Sequence, residues 1–311
     1  MVASGRAWGR PRSSGSGDTA PEASNFWYNF GLMKKTTLEE FQSEILATGG
    51  YRTKDANRAP CRAKPGALST LRYTWGVTRV FPLCALSEPF GLLNSKRWSG
   101  FCFSTVTAAE ALGMSVEVEG FENRKAVDGP VLYLSNHMSM TETILLPPIM
   151  LAFGPLSYVA KASLSRLPFL AKAAAHMGMV PISRVSPRED LVNILRIGTD
   201  RIKGGDSFLI YPQGTRCETF SRKRYSSIGA KLAERAGVPI VPVVVDTRCQ
   251  PTRTKGIFRK VLKDFGPVDT SLDIRVACGP AIPCGKSRDM HEAAFSWMAG
   301  KLESWGLPTE R

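Results

Sequence analysis

With 311 residues, 43% of them hydrophobic, the chain can bury one large core or two modest ones, so a globular domain with extra segments is expected. Its formal charge of +14 implies attraction to something anionic, whether nucleic acid, a phospholipid surface or a phosphorylated substrate. Seven cysteines, an odd number without a C-x-x-C pair, and three scattered histidines argue against a disulfide scaffold and a zinc site, leaving a reducing cytosolic setting as the default and no metal expected.

The first 32 residues are rich in Gly, Ser, Ala and Pro and lack the apolar run of a signal peptide, so residues 1–32 read as a disordered extension. Met33 is followed by KKTTLEEF, which predicts a capped amphipathic helix. Between Ala67 and Trp98, Arg72, Arg79, Pro82, Glu88 and Pro89 interrupt the apolar residues, leaving no charge-free run of the roughly 18 to 20 residues a spanning helix needs. Leu68, Leu71 and Trp75 share a helical face beside Arg72 and Arg79. That pattern fits a helix lying in a lipid interface, and equally one packed on the main domain.

From Val116 onward, short apolar runs alternate with helical stretches. VLYLS (131–135), FLIYP (208–212), PIVPVVV (239–245) and LDIRVACG (272–279) predict strands, and Ser226 to Ala236 predicts a helix between two of them. That order predicts an α/β domain. No internal repeat is found.

The first of these strands runs into NHMSMTE, residues 136–142, where Ser139 to Glu142 fits a capping box opening the next helix. His137 therefore sits in a strand-to-helix turn, where α/β sheets commonly place binding groups. Two roles are open to Glu142: to orient the imidazole, or only to cap the helix.

NHMSMTE resembles the Asn-His-x-Ser-x-x-Asp form of the H-x-x-x-x-D motif of the glycerolipid acyltransferases, the family of 1-acylglycerol-3-phosphate acyltransferase. Asn136, His137 and Ser139 match, and Glu142 stands where the family usually has aspartate. YPQGTR (211–216) resembles the family's Phe-Pro-Glu-Gly-Thr-Arg block, with Gln213 in place of the usual glutamate. Lys161 to Arg184 keeps the Lys-x-x-Leu, Pro, Gly and final Arg of a third block, and VPIVPV (238–243) matches a fourth. Four blocks in family order are far more specific than any one of them.

The resemblance implies a glycerolipid acyltransferase-like mixed sheet flanked by helices, with an N-terminal helical membrane-facing segment at 33–105 and the acyltransferase domain at 106–311. It implies transfer of a fatty acyl group from acyl-CoA or acyl carrier protein to a lysophospholipid, with lysophosphatidic acid the favoured acceptor. Such a transfer needs a base for the acceptor hydroxyl, a partner fixing the base's tautomer, and donors for the tetrahedral oxyanion. His137 is the candidate base and Glu142 its partner.

Gln213, Gly214, Thr215 and Arg216 are the candidate acceptor-phosphate loop, the alternative for this stretch being a turn in which Arg216 caps a helix end. Arg184 and Lys161 are weaker phosphate candidates. Cys217 reads as a spectator, since the attacking hydroxyl belongs to the acceptor. The cationic run SRKRY (221–225) could hold an anionic headgroup or the donor's phosphates.

No bound cofactor is expected, and the expected location is peripheral or monotopic on the cytoplasmic face of a membrane with an anionic surface. A nucleic-acid binder would explain the charge, but no such signature appears. A serine hydrolase lacks its G-x-S-x-G elbow. A non-catalytic lipid-surface protein keeping the acyltransferase fold is the remaining alternative, with Glu142 and Gln213 as marks of lost chemistry.

Overall fold

The computed structural model describes residues 35–162, 174–175, 177–183, 185–252 and 266–311. The expectation for residues 1–32 lies outside them. Helix α1 (Leu38–Thr48) opens with the capping box its sequence predicts: Glu40 N donates to Thr37 Oγ1 and Thr37 N to Glu40 Oε2. A short strand β1 (Tyr51–Arg52) follows, then helices α2 (Ala67–Thr78), α3 (Val80–Ser87) and α4 (Ser95–Ala111). Next come β2 (Val116–Glu119), the short α5 (Glu122–Lys125), β3 (Leu132–Ser135), α6 (Thr141–Met150), β4 (Leu156–Lys161) and β5 (Met179–Ile182). The remaining elements are α7 (Pro187–Lys203), β6 (Ser207–Ile210), β7 (Phe220–Ser221), α8 (Ile228–Ala236), β8 (Ile240–Asp246), β9 (Ile274–Cys278), α9 (Ser287–Ser304) and β10 (Thr309–Glu310).

Eight strands form one mixed sheet in the order β1-β2-β9-β8-β3-β6-β4-β5, and β7 pairs with β10 apart from it. The segment β8-β3-β6-β4-β5 is parallel throughout, while β8 and β9 run antiparallel. Side chains alternate between two cores. Tyr133, Leu209, Val241, Val243 and Val245 face α1 to α4 and α6, whereas Leu132, Leu134, Phe208, Ile210, Ile240 and Val244 face α7, α8 and α9. Because both faces are covered, the central strands read as unbroken apolar runs, which is why these strands were visible in the sequence. The expected mixed sheet flanked by helices is the architecture found.

The boundary expected at 105/106 falls inside α4, and residues Lys34–Arg311 belong to one compact unit. The reason is packing: α4 buries Trp98, Cys102, Phe103, Val106 and Ala109 in the same core as the sheet, and the Trp98 ring lies 5.7 Å from that of Tyr158 on β4. Among the described residues, no helix is long and apolar enough to cross a membrane. α2 packs its inner face, with Tyr73 and Val77 fully buried, and exposes Leu68, Leu71 and Trp75 by about 60% each. The expected packing on the main domain is found on the inner face, and the outer face is exposed.

Candidate active site

The parallel strands deliver most of the candidate residues to one edge of the sheet, where their C-terminal ends lie together. Directly after β3, buried Asn136 uses its amide as an extra rung on β8: Nδ2 donates to Val245 O at 2.9 Å and Oδ1 accepts from Val245 N at 2.8 Å. This fixes the start of the turn. His137 follows, its ring stacked on Tyr211 with centroids 4.4 Å apart. Its Nδ1 lies 2.8 Å from Glu142 Oε1. A carboxylate can only accept, so Nδ1 carries a hydrogen, and in the neutral ring this leaves the lone pair on Nε2. The side chain is 15% exposed.

Glu142 is fully buried, and both of its oxygens are saturated. Oε1 accepts from Met138 N (2.6 Å) and Ser139 N (2.7 Å) besides His137, and Oε2 accepts from Ser139 Oγ (2.7 Å) and Thr247 Oγ1 (2.8 Å). Burial pushes its pKa up, but His137 and the Ser139 and Thr247 hydroxyls outweigh it and hold the group below the ordinary carboxylate value. The expected capping box is altered. α6 starts at Thr141, so the Ser139 hydroxyl donates to Glu142 and accepts from Thr141 N, while Glu142 still takes the Ser139 backbone N–H. Capping and contact with the imidazole thus fall on one carboxylate at once.

Two residues the sequence reading missed complete this turn. Thr247 holds Glu142 Oε2, and Gln250 Oε1 accepts from Met140 N, Thr141 N and Thr141 Oγ1, each at 3.0 to 3.1 Å. Their signal was a hydroxyl and an amide immediately beyond the apolar strand β8, at the edge where the His137 turn emerges.

The YPQGTR loop is tied to the same turn, since Cys217 N donates to His137 O at 2.8 Å. Gly214, at the exposed tip, has φ +66°, a conformation that glycine adopts without strain. Gln213 is buried and turned into its own loop, with Nε2 donating to Thr219 O at 3.0 Å. Thr215 is half-buried, its carbonyl 3.4 Å from Cys217 Sγ. Arg216 lines a cleft of about 390 Å³, whose other walls include Thr219, Ser221, Arg224 and Thr252.

The cationic run divides. Arg222 pairs with Glu292 and lies over the Phe295 ring, Lys223 is exposed, and Arg224 reaches the cleft. Lys161 sits exposed at the end of β4, two strands from β3, and is not on the cleft wall. Arg184 lies outside the described residues.

A protein-family model described as Acyltransferase matches residues 115–246. The 1-acyl-sn-glycerol-3-phosphate acyltransferase of Pseudomonas aeruginosa is 32% identical over 177 residues, which cover 57% of this chain and 66% of that protein. The lyso-ornithine lipid O-acyltransferase of the same organism is 30% identical over 138 residues, covering 44% and 50%. The chain thus spans about two thirds of the first relative's length and half of the second's. The crystal structure of the 1-acyl-sn-glycerophosphate acyltransferase PlsC from Thermotoga maritima superposes with a TM-score of 0.52 at 19% identity, over 77% of this chain and 95% of that one. At that identity the likeness establishes the fold.

Proposed function

This chain belongs to the acyltransferase family, and on that footing we propose that it transfers a fatty acyl group from acyl-CoA or acyl carrier protein to the hydroxyl of a lysophospholipid, lysophosphatidic acid being the favoured acceptor. The observation that carries the reading is the His137–Glu142 pair. A turn histidine with one nitrogen committed to a saturated, buried carboxylate presents the other as a base of fixed tautomer.

His137 Nε2 takes the acceptor's hydroxyl proton as the oxygen attacks the thioester carbonyl carbon. Glu142 stabilises the imidazolium that forms. Collapse of the tetrahedral adduct breaks the C–S bond, and the departing thiolate takes up a proton. No covalent enzyme intermediate is needed. Arg216 and Arg224 are the groups for the acceptor phosphate, the first tied to the His137 turn through the backbone of its neighbour Cys217. The names of the two relatives, one acting on an acylglycerol phosphate and one on a lyso-ornithine lipid, support a lipid acceptor with a free hydroxyl.

A bilayer is the proposed partner of the N-terminal helices, on the cytoplasmic face of a membrane. Among the described residues, six of the nine exposed large apolar side chains fall between Leu68 and Leu92, with exposed Arg72 and Arg97 beside them. Exposed apolar side chains with exposed arginines close to them in sequence fit a lipid surface with anionic headgroups.

The test is turnover by the purified full chain, offering acyl-CoA and acyl carrier protein with several lysolipids in phosphatidylglycerol vesicles and identifying the product by mass spectrometry. His137→Ala is expected to lower kcat by about 10²- to 10⁴-fold with the circular dichroism spectrum unchanged. Absence of acyl-lipid product from every pairing would overturn the reading and favour a non-catalytic lipid-surface protein.

A further inference from the structure

α2 exposes Leu68, Leu71 and Trp75 on one side and buries Tyr73 completely on the other. The Tyr73 hydroxyl lies 3.0 Å from Thr141 Oγ1, on the first residue of α6. Thr141 Oγ1 also lies 3.1 Å from Gln250 Oε1, so this one hydroxyl joins the Tyr73 and Gln250 side chains. Gln250 N donates to Thr247 O at 3.0 Å, closing the turn from which the Thr247 hydroxyl reaches Glu142. Hydrogen bonds linked through residues Gln250 and Thr247 therefore connect the outward-facing helix to the partner of His137.

α2 is also seated without slack. A side chain at Gly76 would collide with Ala108 of α4, Ser104 Oγ donates to Gly76 O at 2.5 Å, and Thr70 Oγ1 accepts from Val268 N at 3.0 Å. A shift of the helix is felt at the Tyr73 hydroxyl, because a hydrogen bond weakens steeply once stretched beyond about 3.5 Å.

We propose that Tyr73 is a positioning residue, coupling the seating of α2 on a bilayer to the geometry of the Glu142–His137 pair. This rests on the acyl-transfer reading and on a lipid bilayer as the occupant of the exposed face. A bilayer then raises kcat itself, beyond concentrating the acceptor, since it holds α2 where the Tyr73–Thr141–Gln250 bonds support the turn. Tyr73 touches no reacting atom and acts only through that turn.

Tyr73→Phe tests this, since it keeps the buried ring and leaves the Thr141 hydroxyl satisfied by Gln250. The full chain is assayed with long-chain lysophosphatidic acid in phosphatidylglycerol vesicles and with a short-chain form below its aggregation concentration. Vesicle cosedimentation and thermal melts run alongside. In the wild type, kcat on vesicles should exceed that on the monomeric acceptor by about fivefold or more, and Tyr73→Phe should erase most of that ratio with acceptor KM and vesicle binding held. A Tyr73→Phe variant that keeps the ratio, or loses both rates in parallel, overturns the coupling and leaves Tyr73 a structural residue. A wild-type ratio near one overturns the coupling while acyl transfer stands. If the wild type turns over no acceptor in either form, the acyl-transfer reading fails and this inference with it.

Discussion

Thr247 Oγ1 lies 2.8 Å from Glu142 Oε2 although the two residues are 105 positions apart, and this contact shows how the candidate base is held. The turn that carries His137 belongs to β3, yet its carboxylate is gripped from the end of β8. Two adjacent parallel strands thus share one polar cluster. A buried carboxylate so fully satisfied is stable as an anion, and an anion is what a charged imidazole needs beside it.

Glu142→Gln separates charge from shape. Glutamine can keep its carbonyl oxygen at the Oε1 position facing Met138 N and Ser139 N, while the Ser139 and Thr247 hydroxyls rotate to accept from its amide nitrogen. The variant should fold, with stability lowered by about 1 to 3 kcal/mol at pH 7, and kcat should fall roughly 10²-fold or more. Glu142→Asp restores the family's usual residue but withdraws the carboxylate by one methylene, so partial activity is expected. Near-wild-type kcat in Glu142→Gln would leave it a helix cap alone.

The same carboxylate sets a pH dependence. Its folded pKa is depressed, so its contribution is complete above the ordinary carboxylate value of about 4.3 and is lost as pH falls through the lower folded value. Denaturant melts of wild type and Glu142→Gln should therefore stay apart above about pH 5 and converge at more acid pH. A gap that stays constant into the acid range would mean that ionisation of Glu142 plays no part in stability.

Much of this was legible in the sequence because the strongest signals were local. The capping box of α1, the apolar strands β3, β6 and β8, and the His137 turn each follow from spacing along a few residues. Thr247, Gln250 and Tyr73 were not legible as parts of the site, since their roles come from strand order and helix docking. Gln213 was read toward a phosphate because the family block aligned it so, while its amide in fact closes the loop on Thr219. β1, β2, β4 and β5 escaped because they are short or mixed in polarity, and their pairing is decided by neighbours distant in sequence.

Gln213→Glu follows from that geometry. The change restores the usual family residue, but places a carboxylate against the Thr219 carbonyl oxygen, in a buried position where an N–H donor now sits. Two acceptors then face each other. A lower melting temperature and a severalfold higher acceptor KM are expected, with donor KM unchanged. Improved turnover would mean that the side chain serves the cleft and not the loop.

Arg216 is tested by a pair of variants. If its guanidinium grips the acceptor phosphate, Arg216→Lys keeps the charge but loses the two-pronged contact, and Arg216→Ala loses both. Charge-assisted hydrogen bonds of about 1.5 to 3 kcal/mol correspond to roughly 10- to 100-fold in acceptor KM for alanine, with a smaller rise for lysine. Donor KM should move little. Unchanged acceptor KM in folded Arg216→Ala would reassign the side chain to loop structure.

The C-terminal strand supports the same cleft from behind. β10 runs parallel to β7, with Thr309 opposite Phe220, and Phe220 N donates to Pro308 O at 2.9 Å. Leu307 and Pro308 meet Asn136, Met138 and Gln213 around a small cavity, and Glu310 lies on the cleft wall. These residues brace the loop between Gln213 and Ser221. Deleting residues 307–311 should raise acceptor KM and lower the melting temperature, since buried Leu307 and the backbone pairing are both lost. Arg311→Ala is the control: its pairing with Glu303 is exposed to solvent and screened, so it should be almost silent in both measurements. A deletion that melts earlier but keeps wild-type acceptor KM would show that β10 stabilises the fold without shaping the loop.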